Sequence, residues 1–227
     1  MLAIQDALLS QFKLGLQFLF PQTDVDPAAL HASAGPVASI PVVGKVQNAH
    51  SLGRLVKRYP GVDTNHFACE PAPIDLCVRN DQDWTIAAVV KPKDLATNYG
   101  IYGSGLDWGN YFGLFTSVNG ECGAIWKCAA GEASLKCPGI ATDQWALIAC
   151  SYEAATKTLR LSVNDGVPVP KVLVGPSWPV GRMAIGNDTI GAVLRFQGDM
   201  STVAKWGRIL TAGERAAMYC NGAFPGM

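Results

Sequence analysis

The chain has 227 residues, 49% of them hydrophobic and only 16% charged, with 18 basic and 18 acidic side chains and a formal net charge of zero. That length suits one sandwich domain with extra segments, and the apolar content is enough for a sizeable core. The lack of any basic excess excludes an electrostatically driven nucleic-acid binder, and so weakly charged a surface suits packing against neighbours.

Residues 1–20 carry Ile4, Leu8, Phe12, Leu16 and Leu19 at helical spacing, opposite Gln5, Asp6, Lys13 and Gln17, which predicts an amphipathic helix ended by Pro21. Asp6 interrupts the apolar run and no basic residue precedes it, so no signal peptide is expected. Lys13 and the glutamines keep it short of a membrane span. Its apolar face is broad, and Leu8, Phe12, Leu16 and Leu19 are the candidate partner-binding residues. Asp26-Pro27 reads as the cap and first residue of a short helix through Leu30. Between 34 and 74 the breakers Gly35-Pro36, Pro41, Gly44, Pro60-Gly61, Pro71 and Pro73 leave only short apolar pieces, Val42-Val43 and Leu55-Val56, as edge strands. This segment is too apolar for a disordered linker and reads as an arm laid over the domain or over a neighbour. The expected division is a helix-and-arm segment, 1–73, followed by a sandwich domain, 74–227.

From WTIAAVVK (84–91) onward, short apolar runs recur at roughly ten-residue spacing: 99–104, 111–117, 123–128, 134–137, 144–152, 158–163, 167–169, 183–185 and 193–196. Asn164-Asp165-Gly166 is a hairpin signal, because these residues tolerate positive φ. In 200–205 the pattern alternates, with Met200, Thr202 and Ala204 on one face and Ser201, Val203 and Lys205 on the other. Thr211 and Glu214 then have the spacing of a capping box, opening a short helix that Asn221-Gly222 can close. These features predict a mainly β fold: an antiparallel jelly-roll sandwich with an N-terminal helix, an extended arm and a short C-terminal helix.

Ile185-Gly186, Phe196-x-Gly198, Val203, Trp206, Arg208-Ile209-Leu210-Thr211, Glu214 and Met218-Tyr219 follow one another in an order and spacing that resembles the closing segment of laminin-G-like, concanavalin-A-type jelly rolls. Trp145, Tyr152, Leu161, Val163, Asp165 and Gly166 are similar to that family's central hairpin, so the resemblance spans about 84–219. The family's Asp-Glu pair falls on Ser201 and Thr202, so any role of those acids is missing here. The resemblance implies a lectin-like module. Modules of this kind without catalytic residues also occur in bacteriophage structural proteins, as capsid decorations or tail appendages.

Glycoside hydrolysis needs two carboxylates about 5–10 Å apart, which on a strand means acids at spacing two. No predicted strand carries such a pair, and Asp81 and Asp83 fall in a turn; no catalytic residue is assigned. Sugar binding uses loop acids and amides beside an aromatic ring. Asp107, Trp108, Asn110 and Tyr111 supply those types and are the candidate sugar-binding residues, with Tyr99 and Tyr102 close in sequence. Asn187 and Asp188 form a second polar loop. Calcium takes six to eight oxygens, more than one such loop offers, so calcium stays an option without an assigned ligand set. Asp107 and Asn110 have a plain structural alternative as backbone-binding turn residues.

The cysteines are 69, 77, 122, 128, 137, 150 and 220, an odd number; Cys122, Cys128 and Cys137 cluster, and one bridge could form among them. No zinc site or other cofactor is expected, since His31, His50 and His66 lie outside the cluster. The leading expectation is a non-enzymatic virion structural protein, made in the host cytoplasm. Its N-terminal segment would anchor it to itself as a homo-oligomer and to other virion proteins, with a host surface glycan as a further partner. The alternative is a carbohydrate-binding lectin module, with or without calcium. A glycoside hydrolase comes third.

Overall fold

The computed structural model describes residues 16–21, 29–31, 39–43, 47–51, 54–60, 66–70, 72, 77–107, 109–173, 181–187 and 195–219. Among the described residues, sixteen strands precede one α-helix, with a short 3-10 turn at Val118–Gly120. The strands are β1 (Leu16–Pro21), β2 (Ala29–His31), β3 (Ser39–Val43), β4 (Gln47–Ser51), β5 (Arg54–Pro60), β6 (His66–Cys69), β7 (Trp84–Pro92) and β8 (Tyr99–Asp107). They continue as β9 (Asn110–Ser117), β10 (Glu121–Cys128), β11 (Gly131–Pro138), β12 (Ala146–Glu153), β13 (Thr158–Val163), β14 (Val169–Val172), β15 (Arg182–Ile185) and β16 (Gln197–Trp206), and the helix is α1 (Ala212–Tyr219).

The strands form two eight-stranded sheets. The first runs β14-β13-β12-β7-β16-β5-β4, with β1 also on β16; the second runs β11-β10-β9-β8-β15-β6-β3-β2. The mainly β jelly-roll sandwich with a short C-terminal helix is therefore the observed fold. The hairpin signal is also realised: Asn164 has φ 56°, and β13 turns back onto β14 with Leu161 opposite Val169.

Three expectations need correction. The helix over 1–20 is not formed at its end, because 16–21 is a strand: β1 pairs with β16, Leu16 opposite Trp206 and Leu19 opposite Ala204. β16 has β7 on one side, and on the other β5 covers 197–200 while β1 covers 202–206. β1 thus completes a sheet edge that would otherwise expose backbone amides, which outweighs a helical stripe in a short aromatic segment. Leu8 and Phe12 lie outside the described residues. The short helix through Leu30 is likewise corrected, since Ala29–His31 pairs with β3. Finally, the strands that contain Val42-Val43 and Leu55-Val56 are interior: β3 lies between β2 and β6, and β5 between β16 and β4.

The main core lies between the sheets. Trp84 and Tyr152 are cross-strand neighbours in the first sheet, and Trp126 reaches them from the second. The three rings lie near-parallel, with centroids 6.4 Å (Trp84–Trp126), 6.0 Å (Trp84–Tyr152) and 5.9 Å (Trp126–Tyr152) apart. Phe112 meets Trp84 edge-on at 5.3 Å. Two of the polar heads find backbone partners at the rim, Trp84 Nε1 donating to the Arg79 carbonyl at 2.7 Å and Tyr152 Oη to that of Asn80 at 3.2 Å, whereas the buried Trp126 Nε1 has no partner among the described residues.

A second apolar layer covers the outward face of the first sheet. Ala87, Val89, Leu147, Ala149, Ala204 and Trp206 pack there under Leu210 and Met218, the latter from α1. β7 is therefore apolar on both faces after Thr85, which is why 86–90 is a continuous hydrophobic run and not an alternating one. The alternation read into 200–205 is broken by a bulge between Met200 and Thr202. The extra residue puts Met200 and Val203 together in the main core, and Ala204 and Trp206 under α1.

The family-like residues near the C-terminus have identifiable tasks. Phe196 is buried and meets Tyr59 of β5 edge-on at 5.9 Å, and a Cβ on Gly186 would come within 2.2 Å of that Tyr59 ring. The capping box is formed: the Glu214 amide donates to Thr211 Oγ1 at 3.2 Å, and the Thr211 amide to Glu214 Oε2 at 2.7 Å. Arg208 grips the same carboxylate with two nitrogens, at 3.0 and 2.5 Å. Burial alone raises the Glu214 pKa, but Arg208 and the two Thr211 contacts outweigh it and hold it below the usual value.

A carboxyl with a depressed folded pKa contributes stability above its unfolded value, near 4.3, and loses it as pH falls through the folded one. Glu214→Gln should therefore cost about 1.5–3 kcal/mol at pH 7. In urea titrations from pH 7 to pH 2, the wild type should converge toward the variant below about pH 4. A constant gap down to pH 2 would contradict this.

The candidate site

The hairpin between β8 and β9 carries the residue types singled out for sugar binding. Asp107 ends β8, Asn110 begins β9, and the two stand opposite each other. Asp107 Oδ1 accepts from the Gly109 amide at 2.7 Å and the Asn110 amide at 2.9 Å. The carboxylate thus fixes the turn with one oxygen while the residue stays exposed, and Asn110 is half-buried. Trp108 lies outside the described residues.

Tyr111 follows on β9 and is only 8% exposed. Phe112 and Leu114 belong to the main core, so Tyr111, Gly113 and Phe115 take the outward face of the second sheet. Glycines of neighbouring strands make room for both aromatics. A Cβ on Gly105 would meet Tyr111 Cβ at 2.6 Å, and one on Gly123 would meet the Phe115 ring at 2.3 Å. Lys127 stands opposite Tyr111 and Ile125 opposite Gly113, extending this face away from the hairpin. Phe115, Ile125 and Lys127 were not among the sequence candidates. Their only sequence signal is the period-two spacing of 111, 113 and 115 against 123, 125 and 127, which needs the strand register to become a surface.

The other candidates do not gather at this hairpin. Tyr102 is fully buried in the main core. Tyr99 sits at the opposite end of β8, where its hydroxyl donates to Asp94 Oδ2 at 2.6 Å. Desolvation and the neighbouring Asp94 push the Tyr99 pKa up to about 12, and the same hydrogen bond lowers that of Asp94. Asn187 is also at that far end: the Gly186 amide donates to the Ile101 carbonyl, and Ile185 lies opposite Tyr102. At about 3.3 Å per strand residue, some 20 Å separates Asn187 from Asp107. The two polar loops therefore cannot share one calcium ion; Asp188 lies outside the described residues. Among the described residues no three His, Cys, Asp or Glu side chains form a group that could hold a metal ion.

Asp81 and Asp83 both serve the structure. Asp81 takes a bidentate contact from Arg79, and Asp83 Oδ1 accepts from the Ala154 amide at 2.8 Å. Cys122 stands directly opposite Cys137, and Cys69, Cys77, Cys122, Cys128, Cys137 and Cys150 are all free thiols. Cys220 lies outside the described residues.

The family model of the concanavalin A-like lectin/glucanases superfamily, in its laminin G form, matches residues 64–214, more than half of the chain. The chain belongs to the concanavalin A-like lectin/glucanase superfamily. No curated protein sequence matches this lectin-like chain. Among solved structures it is similar to domain 4 of AbnA, a GH43 extracellular arabinanase from Geobacillus stearothermophilus, in complex with arabinotriose. The TM-score is 0.71 at 14% identity, over 90% of this chain and 98% of that one. It is also similar to the CBM40 of Ruminococcus gnavus IT-sialidase bound to α2,3 sialyllactose, with TM-score 0.54 at 15% identity over 61% and 82% of the two chains. A third similar structure is the binding domain of botulinum neurotoxin serotype G, with TM-score 0.69 at 12% identity. That match covers 89% of this chain and half of the toxin chain. At these identities the likenesses show the lectin-like fold. No helix of the described residues is long and apolar enough to cross a membrane.

Proposed function

We propose that the chain is a non-catalytic carbohydrate-binding module whose ligand docks at the β8–β9 hairpin. The observation that carries this reading is the tip itself, an exposed Asp107 and a half-buried Asn110 fixed by two backbone hydrogen bonds to a single carboxylate oxygen. Oδ2 of Asp107 and the side-chain carboxamide of Asn110 have no partner among the described residues. They can accept from and donate to sugar hydroxyls without first ordering the loop, and such preorganisation lowers the entropic cost of binding. The lectin-like family and the glycan-bound similar structures support the same reading. The non-catalytic part rests on the residues: Asp81 and Asp83 are engaged in structural contacts, and Ser201 and Thr202 stand where the family carries acids.

A glycan array probed with the full chain tests this. The wild type should retain a subset of oligosaccharides. Asp107→Ala should weaken the best of them about tenfold or more, while Asp107→Asn, which keeps the turn-forming acceptor, separates ligand contact from loop folding. With so few oxygens at the tip, binding is expected to survive a calcium chelator. No retained glycan, or equal retention by both variants, would contradict the proposal.

A second reading displays the same module on a virion surface as a homo-oligomer. The observations that favour it are the 16% charged composition and the six unbridged thiols among the described residues, as expected after folding in a reducing cytoplasm. Light scattering on the full chain tests it: a defined oligomer supports it and a monomer contradicts it.

A further inference from the structure

On the outward face of the first sheet, beside the apolar layer under α1, lies a small open groove whose floor has room for about one water molecule, about 10 Å³. Thr85, Ser151 and Arg160 form one row across β7, β12 and β13, and Ala149 and Ser162 form the next. Leu159, Leu161 and Val163 face the main core, so Arg160 and Ser162 point to the groove side. Pro168 and, from α1, Arg215 complete the lining.

The donors outnumber the acceptors here. Thr85 Oγ1 is committed, donating to the Arg208 carbonyl at 2.8 Å and accepting from the Leu210 amide at 3.1 Å. Arg160 uses one nitrogen on Glu153 Oε2 at 2.9 Å, and Arg215 uses one on the Leu210 carbonyl at 2.7 Å. A guanidinium has five N–H donors, so most of this capacity is unspent. Glu153 is the carboxylate that answers Arg160; Glu214, next to Arg215 in sequence, is held by Arg208 and Thr211. Ser151 and Ser162, 9% and 2% exposed, also line the groove.

We propose that this groove is an oxyanion site, separate from the hairpin, which takes the carboxylate, phosphate or sulfate group of a small ligand or of a charged sugar. One such group accepts from both guanidiniums and both serine hydroxyls at once, the geometry for which arginine forks are suited. Its three chemistries share a charge and differ in shape, so the experiment distinguishes them.

The test is calorimetric titration of the full chain with glucuronate, glucose 6-phosphate, glucose 6-sulfate and, as the neutral control, glucose. At least one anion should bind where glucose does not, with affinity falling as salt rises. Arg160→Gln and Arg215→Gln should each weaken that binding about tenfold or more, and Arg215→Lys, which keeps the charge but not the fork, should restore only part of it. Melting temperatures of the variants check that the fold is retained. Asp107→Ala should leave anion binding intact, so the hairpin and groove assignments can fail independently. Silence with all three anions, glucose binding as well as they do, or equal affinity in wild type and both Gln variants would overturn the proposal.

Discussion

Trp84→Ala should lower the unfolding free energy by about 3–5 kcal/mol, the range for deleting a large aromatic from a core that cannot collapse around the gap. Trp84 is fully buried and touches Phe112, Trp126 and Tyr152, so it joins the facing sheets at one point. Ring contacts of this kind add about 0.5–1.5 kcal/mol beyond burial. The indole also holds the Arg79 carbonyl, which the variant would leave to water. Urea denaturation of the full chain reads the loss directly. A drop under about 1 kcal/mol would mean that the aromatic cluster is not the centre of the core.

Gly198→Ala should cost about 2–6 kcal/mol, from two independent terms. Its φ of 144° lies where side-chain-bearing residues are strained, at about 1–3 kcal/mol. A Cβ there would also sit 2.2 Å from the Lys91 carbonyl oxygen and 3.0 Å from the Lys93 amide, and such overpacking against backbone adds about 1–3 kcal/mol. Gly213→Ala is the internal control. A Cβ on that helical glycine meets nothing within 4 Å, so the change should be neutral or stabilise by about 0.4–1 kcal/mol. Equal effects at the two positions, compared by thermal melts, would contradict the backbone assigned to β16.

The features legible in the sequence were those set by local chemistry. Asn164 tolerates positive φ at little cost whatever surrounds it, and Thr211 and Glu214 satisfy amides three residues apart, so the hairpin and the capping box could be read directly. The strand-rich pattern from Trp84 onward followed from period-two burial and turn residues. Features set by partners distant in sequence were not legible. Leu16 and Leu19 fit a helical stripe as well as a strand, and the pairing that decides between them is with Ala204 and Trp206, at the other end of the chain. The bulge after Met200 is invisible in an alternating string, yet it reassigns Met200 to the core with Val203.

The candidate site divides along the same line. Asp107 and Asn110 were identifiable as loop residues, and the structure adds that one Asp107 oxygen is spent on the turn. Tyr99 and Tyr102 looked adjacent to that loop, but an extended strand carries Tyr99 to its far end and turns Tyr102 into the core. Phe115 over Gly123, and the groove of Arg160, Arg215, Ser151 and Ser162, arise from register and from a helix laid across the sheet. No single stretch of sequence encodes them.

The central claim, glycan binding at the β8–β9 hairpin, is tested most directly by amide chemical-shift mapping on the full chain with an oligosaccharide retained on the array. Saturable shifts concentrated on residues 105–113 are expected, with Asp107→Ala removing them and leaving the remaining spectrum in place. Shifts confined to other parts of the sandwich, or none at saturating oligosaccharide, would contradict it.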